Sequence, residues 1–512
     1  MRYSEQDEAS RSLEHLASTA EAEGEDTPLI PNPSGAVSPT TPLSAKKVLQ
    51  VIVLCAAATL ILDIGLTVVR APKIRLFESI LCEAYYREHG HPLLVPMQDI
   101  PESQCKTKEI QSGIARLIGW QTVFDGIPAI FLAIPYGALS DSRGRRPVLL
   151  LCFLGLALST AWALLVCWMQ WPLELTWISS LFQCLGGGPA VATAVLEATI
   201  ADVVPDDKRS TIYFQLQAAV LISDIVANPL SSVLMAQNAW IPCFLGVGVQ
   251  ALATILLMAL PETLDFARRS RPLDASIDVC KEEETTLRGC LAKNFRSIVL
   301  DRKVAGLVFS LLILTISAES LDFLLQYVSQ RYGWSIAQSA MLLSLRAVVE
   351  FGLLLALGSL LLLVQVPGFG DPQQRDLLIA RLSLGLIVLG LLILSLSPTV
   401  APAILGLIVY TLGAGFQPAV MSLLASLWKA SNPSNLGSLY STVAIILAVG
   451  GVVAGPLISL MYRVGLSLGH AWVGLPYFVA SGLCAGIAVV LLSVRLSGRE
   501  RDARRDTGLS LN

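Results

Sequence analysis

The chain has 512 residues, of which 54% are apolar and only 15% charged, and its mean hydropathy is +0.64. Soluble domains carry about 25% charged residues, so a chain this long and this poor in charge cannot cover a water-facing surface, and a soluble enzyme is excluded. The net charge of −3 offers no basic surface to a nucleic-acid partner.

Residues 1–46 are rich in Glu, Ser, Thr and Pro and cannot bury enough apolar surface to offset their ordering entropy, so they are expected to form a disordered tail. Within it Glu25 to Ile30 matches an acidic dileucine sorting pattern. From there, apolar runs of bilayer-spanning length recur near 48–69, 116–139, 147–168, 174–197, 212–235 and 240–260. A polar linker, 261–303, separates these six spans from six more, near 304–329, 336–364, 377–397, 400–427, 438–461 and 470–494. The reading is an all-α membrane protein: an N-terminal six-helix half at 47–260, a C-terminal half at 304–495 and a short tail at 496–512.

Lys and Arg mark the cytoplasmic side of a membrane protein. Arg143, Arg145, Arg146, Lys208, Arg209, Lys429 and the bases of the linker and both tails fall on one side of the spans. That places both termini in the cytoplasm. The other side is poor in bases outside a long first loop, expected at 70–115, which also holds Cys82 and Cys105. In an oxidising compartment these two thiols could pair, or they could stay free.

Six spans, a charged linker and six spans suggest duplication, and short matches at a nearly constant offset support it. Gly188-Pro189-Ala190-Val191 returns as Gln417-Pro418-Ala419-Val420, Asn228-Pro229-Leu230 as Gly455-Pro456-Leu457, and Gln111-Ser112 as Gln338-Ser339. Two parallel six-helix halves imply a substrate cavity between them and alternating access by rocking.

Between spans two and three stands Gly137-Ala138-Leu139-Ser140-Asp141-Ser142-Arg143-Gly144-Arg145-Arg146-Pro147. This resembles the signature loop of the major facilitator superfamily, with Ser142 in place of the usual base after the aspartate. Gly137 would permit close backbone approach and Gly144 a tight turn, and Pro147 suits the first turn of span three. Pro261-Glu262-Thr263 after span six is similar to the same superfamily, and the chain looks closest to fungal members allied to tetracycline-type antiporters and proton-coupled folate and haem carriers. The resemblance implies the twelve-helix fold of that family and a gate in which Asp141, Arg145 and Arg146 pair with Glu197 or Asp202, beside Arg209.

Ionisable residues inside spans are costly and are therefore the first functional candidates. They are Asp63, Asp125, Asp224, Glu319, Asp322, Arg346 and Glu350. Glu319 and Asp322 share a helix face and could share a proton, whereas Arg346 and Glu350, four apart, could pair or meet an anionic substrate. Each charge could instead tie helices together. No Walker loop or metal-ligand cluster is present in the sequence, so no cofactor is expected and an ion gradient should supply the energy. The function expected is proton-coupled transport of a small organic molecule across a lipid bilayer, with efflux of a drug or secondary metabolite ahead of uptake of a nutrient or organic anion. A transporter-shaped sensor is the other class. The plasma membrane is the expected location, with a vacuolar or endosomal membrane as the alternative set by the tail motif.

Overall fold

The computed structural model describes residues 45–89, 101–204, 206–263, 300–363, 372–431 and 436–493, all within one unit, Leu43–Asn512. The tail with its sorting motif, most of the linker and the C-terminal tail lie outside these described residues. Among the described residues, twelve helices are long and apolar enough to cross a membrane. They are α1 (Ala45–Glu88), α2 (Lys108–Arg143), α3 (Arg145–Trp168), α4 (Leu173–Val203), α5 (Asp206–Gln237) and α6 (Trp240–Leu257) in the first half. The second half has α7 (Arg302–Tyr332), α8 (Ile336–Leu363), α9 (Pro372–Leu396), α10 (Val400–Trp428), α11 (Leu436–Leu468) and α12 (Leu475–Ser493). Among the described residues there is no strand.

The first loop differs from expectation. Helix α1 continues to Glu88 and α2 begins at Lys108, so much of the segment read as loop at 70–115 is helical. The cause is an apolar stripe at helical spacing, in which Ala71, Ile74, Phe77 and Cys82 are buried. A span estimated from bilayer thickness stops where the lipid would stop, but a helix continues while its neighbours bury one face of it.

The repeat is visible in the shapes of the helices. α4 breaks at Cys184–Gly187 before restarting at Gly188-Pro189, and α10 passes through a 3₁₀ turn, Leu412–Gly415, before Gln417-Pro418. In α4 the turn needs glycine: Gly187 and Gly188 have φ of +86° and +79°, and a Cβ on Gly186 would meet the Cys152 backbone at 2.3 Å. The Tyr136 hydroxyl lies 2.9 and 2.7 Å from the Cys184 and Leu185 carbonyls that the break frees. Pro229 and Pro456 sit inside α5 and α11, the corresponding helices of the two halves.

Packing follows the same symmetry. α1 lies on α5 and α6 as α7 lies on α11 and α12, and α3 packs on α4 and α6 as α9 packs on α10 and α12. The halves meet chiefly through two equivalent pairs, α2 with α11 and α5 with α8. At the first crossing small residues bring backbones together: a Cβ on Gly119 would stand 2.5 Å from Ser459 Cβ, and one on Gly455 would stand 2.7 Å from Thr122 Cβ. Large apolar side chains such as Phe131, Leu181 and Val489 point outward, which suits a lipid surround rather than water.

Candidate translocation site and gates

At one end of the bundle, Gly144 turns the chain from α2 into α3 with φ +117°, and a Cβ there would lie 2.4 Å from Glu262 Oε2. Glu262 accepts hydrogen bonds from the backbone N–H of Arg145 at 2.8 Å and of Arg146 at 3.3 Å, placing a carboxylate on the positive end of α3. The Arg145 guanidinium donates to Asp141 Oδ1 at 2.5 Å, Ser140 Oγ at 2.9 Å and Asp202 Oδ2 at 3.0 Å. Arg146 donates to the Met258 carbonyl. Among the described contacts, this network joins α2, α3, α4 and the segment that follows α6.

Three expectations can be followed here: the first chooses between two alternatives, the second is overturned and the third falls outside the described side chains. The arginine is taken by Asp202, while Glu197, five residues earlier on α4, turns its side chain into a cavity and offers its main-chain carbonyl to the Tyr213 hydroxyl at 3.0 Å. Gly137 makes no close approach: nothing lies within 4 Å of where its Cβ would be. Arg209 falls in the first turn of α5, but its side chain lies outside the described ones.

The intramembrane charges separate into three groups. Asp63, Thr67 and Arg70 form one stripe on α1, and Arg70, expected in a loop, reaches across to the second half, where its Nη2 lies 3.4 Å from Asp322 Oδ1. Asp322 stands in a 3₁₀ break of α7, Ser320–Phe323, within hydrogen-bonding reach of Glu319, whose carboxylate also faces Gly451 of α11. Thr67 donates to Asp224 Oδ1 at 3.1 Å, and one oxygen of Asp63 is buried with no hydrogen-bond partner among the described residues. Four carboxylates and one guanidinium thus line the meeting of α1, α5 and α7.

Asp125 has a different setting. Its Oδ1 accepts from Ser180 at 2.6 Å, Gln183 at 2.7 Å and Gln121 at 2.9 Å, which ties α2 to the broken start of α4. Arg346 and Glu350 form the third group, a loose pair at 3.8 Å in a cavity of about 320 Å³ with Thr315, Tyr410 and Gln417. A cavity of about 310 Å³ in the first half holds Asp63, Glu197, Tyr213 and Gln217. Each cavity lies beside the proline-bearing restart of its half, at Pro189 or Gln417, so the duplication extends to the chambers.

At the opposite end Cys82 and Cys105 form a disulfide, with Cα atoms 5.3 Å apart. Close by is a charged cluster that the sequence reading missed, Arg75, Glu78, Glu102 and Lys106, with the Gln111 amide donating into it. Part of its signal was present in the helical spacing of Ala71, Ile74 and Glu78, which would have extended α1, whereas the meeting of Glu78 with Lys106 is a matter of tertiary packing. Among the described residues no group of three or more His, Cys, Asp or Glu side chains could hold a metal ion.

A duplicated twelve-helix bundle with paired chambers and a charged centre defines a secondary membrane transporter, a carrier rather than an enzyme. The family model of the Major Facilitator Superfamily matches residues 109–455, and the chain belongs to that family. It is 87% identical over 505 residues to the MFS efflux pump atnC of Emericella nidulans, covering 99% of both chains. It is 29% identical to the efflux pump ustT of Aspergillus flavus over 82% of this chain and 83% of that one. In fold it is similar to a D-xylose-proton symporter, with a TM-score of 0.58 at 14% identity over 88% of this chain and 99% of the other.

Proposed function

We propose that this transporter exports a small organic secondary metabolite in exchange for protons, with both termini in the cytoplasm and the disulfide facing outward, at the plasma membrane. The pairing of Arg70 with Asp322 across the two halves, beside Glu319, is the observation that carries this reading. The name of the 87% identical relative supports the outward direction. In the mechanism that follows, charged Asp322 holds Arg70 and keeps the disulfide end closed. A proton shared by Glu319 and Asp322, or a substrate cation competing for the same carboxylates, loosens their hold on Arg70. An empty carrier stays tied and a loaded one can rock, which is the condition for exchange rather than leak. Asp63 and Asp224 lie on the same path and would pass protons toward the second half. The cavities at the two proline restarts offer each half's share of an apolar chamber with a few fixed polar groups.

The test is the double substitution Glu319→Gln with Asp322→Asn in proteoliposomes. A pH gradient should then fail to drive accumulation of a transported compound, while binding measured by thermal shift is kept. Undiminished gradient-driven accumulation would sink the coupling role.

Arg70 and Asp322 are about half exposed, with side-chain exposures of 52% and 44%. A pair in that setting contributes at most about 1 kcal/mol. Closure of the disulfide end therefore needs a further hold.

A further inference from the structure

The cluster beside the disulfide supplies that hold. Glu78 on α1 is fully buried, and its carboxylate accepts from Arg75 at 2.9 Å, Lys106 at 2.6 Å and Gln111 at 2.7 Å. Lys106 also donates to Glu102 Oε1 at 2.8 Å, and Gln111 to the Cys105 carbonyl at 3.3 Å. The short turn Glu102–Cys105 is thus fixed twice, by the covalent bond to α1 and by a buried charge beneath it.

What this turn presents to the other half is one carboxylate. Glu102 Oε1 accepts the backbone N–H of Ile336 at 2.9 Å, the Ser329 hydroxyl gives its proton to the Trp334 carbonyl at 2.7 Å, and Gln330 Nε2 donates to the Lys106 carbonyl at 3.1 Å. Ile336 is the first residue of α8, whose orphan N–H groups and positive dipole end favour an anion. The helix's own capping box serves other donors: Ser335 Oγ accepts from Gln338 N, and Gln338 Oε1 accepts from Ser335 N. Glu102 therefore adds a cap that comes from the opposite half.

We propose that Glu102 is a gating residue: a carboxylate latch, carried on a disulfide-stapled turn of the first half, that caps α8 of the second half to hold the disulfide end closed and is released at each opening. The proposal rests on the alternating-access reading above. The staple holds the latch in register, so that recapture after each opening requires only the rocking of the halves. Without the staple the carboxylate would have to be found by a free loop.

The test uses full-length protein in lipid nanodiscs, with Cys184, Cys280 and Cys290 replaced by serine and thioether-linked spin labels, which survive reduction, on cysteines introduced at Glu109 and Leu468, at the disulfide ends of α2 and α11. Distance distributions then report opening without needing a substrate. Glu102→Ala should raise the long-distance population about tenfold, the size expected for losing a charge-assisted hydrogen bond. Glu102→Gln keeps a carbonyl acceptor for Ile336 N–H and should restore most of the short-distance population. Reducing the disulfide in protein that keeps Glu102 should raise the long-distance population as well, which guards against a Glu102 variant that fails to fold. An unchanged distribution in Glu102→Ala, an equal shift in Glu102→Gln, or no response to reduction would each overturn the latch. A shifted distribution in a protein that moves no candidate compound would support the latch and count against the transport reading.

Discussion

The two ends of the bundle are both rich in charge, but the charges are wired differently. At the signature-loop end the described contacts of Arg145, Asp141, Asp202 and Glu262 brace α2, α3 and α4 of the first half with the segment after α6. At the disulfide end Arg70 and Glu102 reach from one half to the other, as do Ser459, which donates to the Ala115 carbonyl at 2.7 Å, and Ser232, which donates to that of Ala337 at 2.7 Å. Contacts inside a half move with it and can be strong without hindering motion. Contacts between halves must break in every cycle, so each has to be modest and reversible.

The largest effect expected from this difference lies at the signature loop. Arg145 and Asp202 are nearly buried, with side-chain exposures of 10% and 4%. Arg145→Ala leaves Asp202 without its cation, and losing one partner of such a pair costs about 3–5 kcal/mol. Thermal unfolding in detergent should show a marked fall in melting temperature, and the joint variant Arg145→Ala with Asp202→Ala should recover part of it. A melting temperature equal to the parent's would mean that the network does not brace the half.

Asp125→Asn should come next. All three donors meet Oδ1, so an amide can keep an oxygen toward them but loses the charge that strengthens the three bonds, at a cost of about 1–3 kcal/mol. Stability should fall while the pH dependence of transport stays where it was. A displaced pH profile would move Asp125 from the helix ties to the proton path.

Arg70→Ala should be the mildest for stability, within about 1 kcal/mol, because the pair is half exposed. Its signature should be functional: exchange becomes leak, so proton flux measured in vesicles no longer requires the transported compound. Tight coupling in that variant would remove Arg70–Asp322 from the gate.

Much of the architecture was legible in the chain because lipid simplifies the code. Backbone groups in a bilayer must be satisfied within the helix, so a long apolar run has one meaning, and the spacing of Pro189, Pro229, Pro418 and Pro456 carried the duplication into view. The site was less legible. Glu319 and Asp322 stand out as charges in an apolar run, but Arg70 lies past the point where lipid thickness ends a span, so the local pattern assigns it to a loop. Glu197 and Asp202 are equally acidic and five residues apart, so the choice between them depended on which reaches Arg145 from the last turn of α4.

The sequence by itself determined the twelve spans, the duplication and the family, because these follow from local hydropathy and from motifs carried within a single stretch. Only the tertiary structure decided which charges meet. Arg70 with Asp322 and Glu102 with Ile336 are separated by more than two hundred residues. Such pairs arise where helices from different halves cross, and nothing in the local pattern of either segment specifies the other.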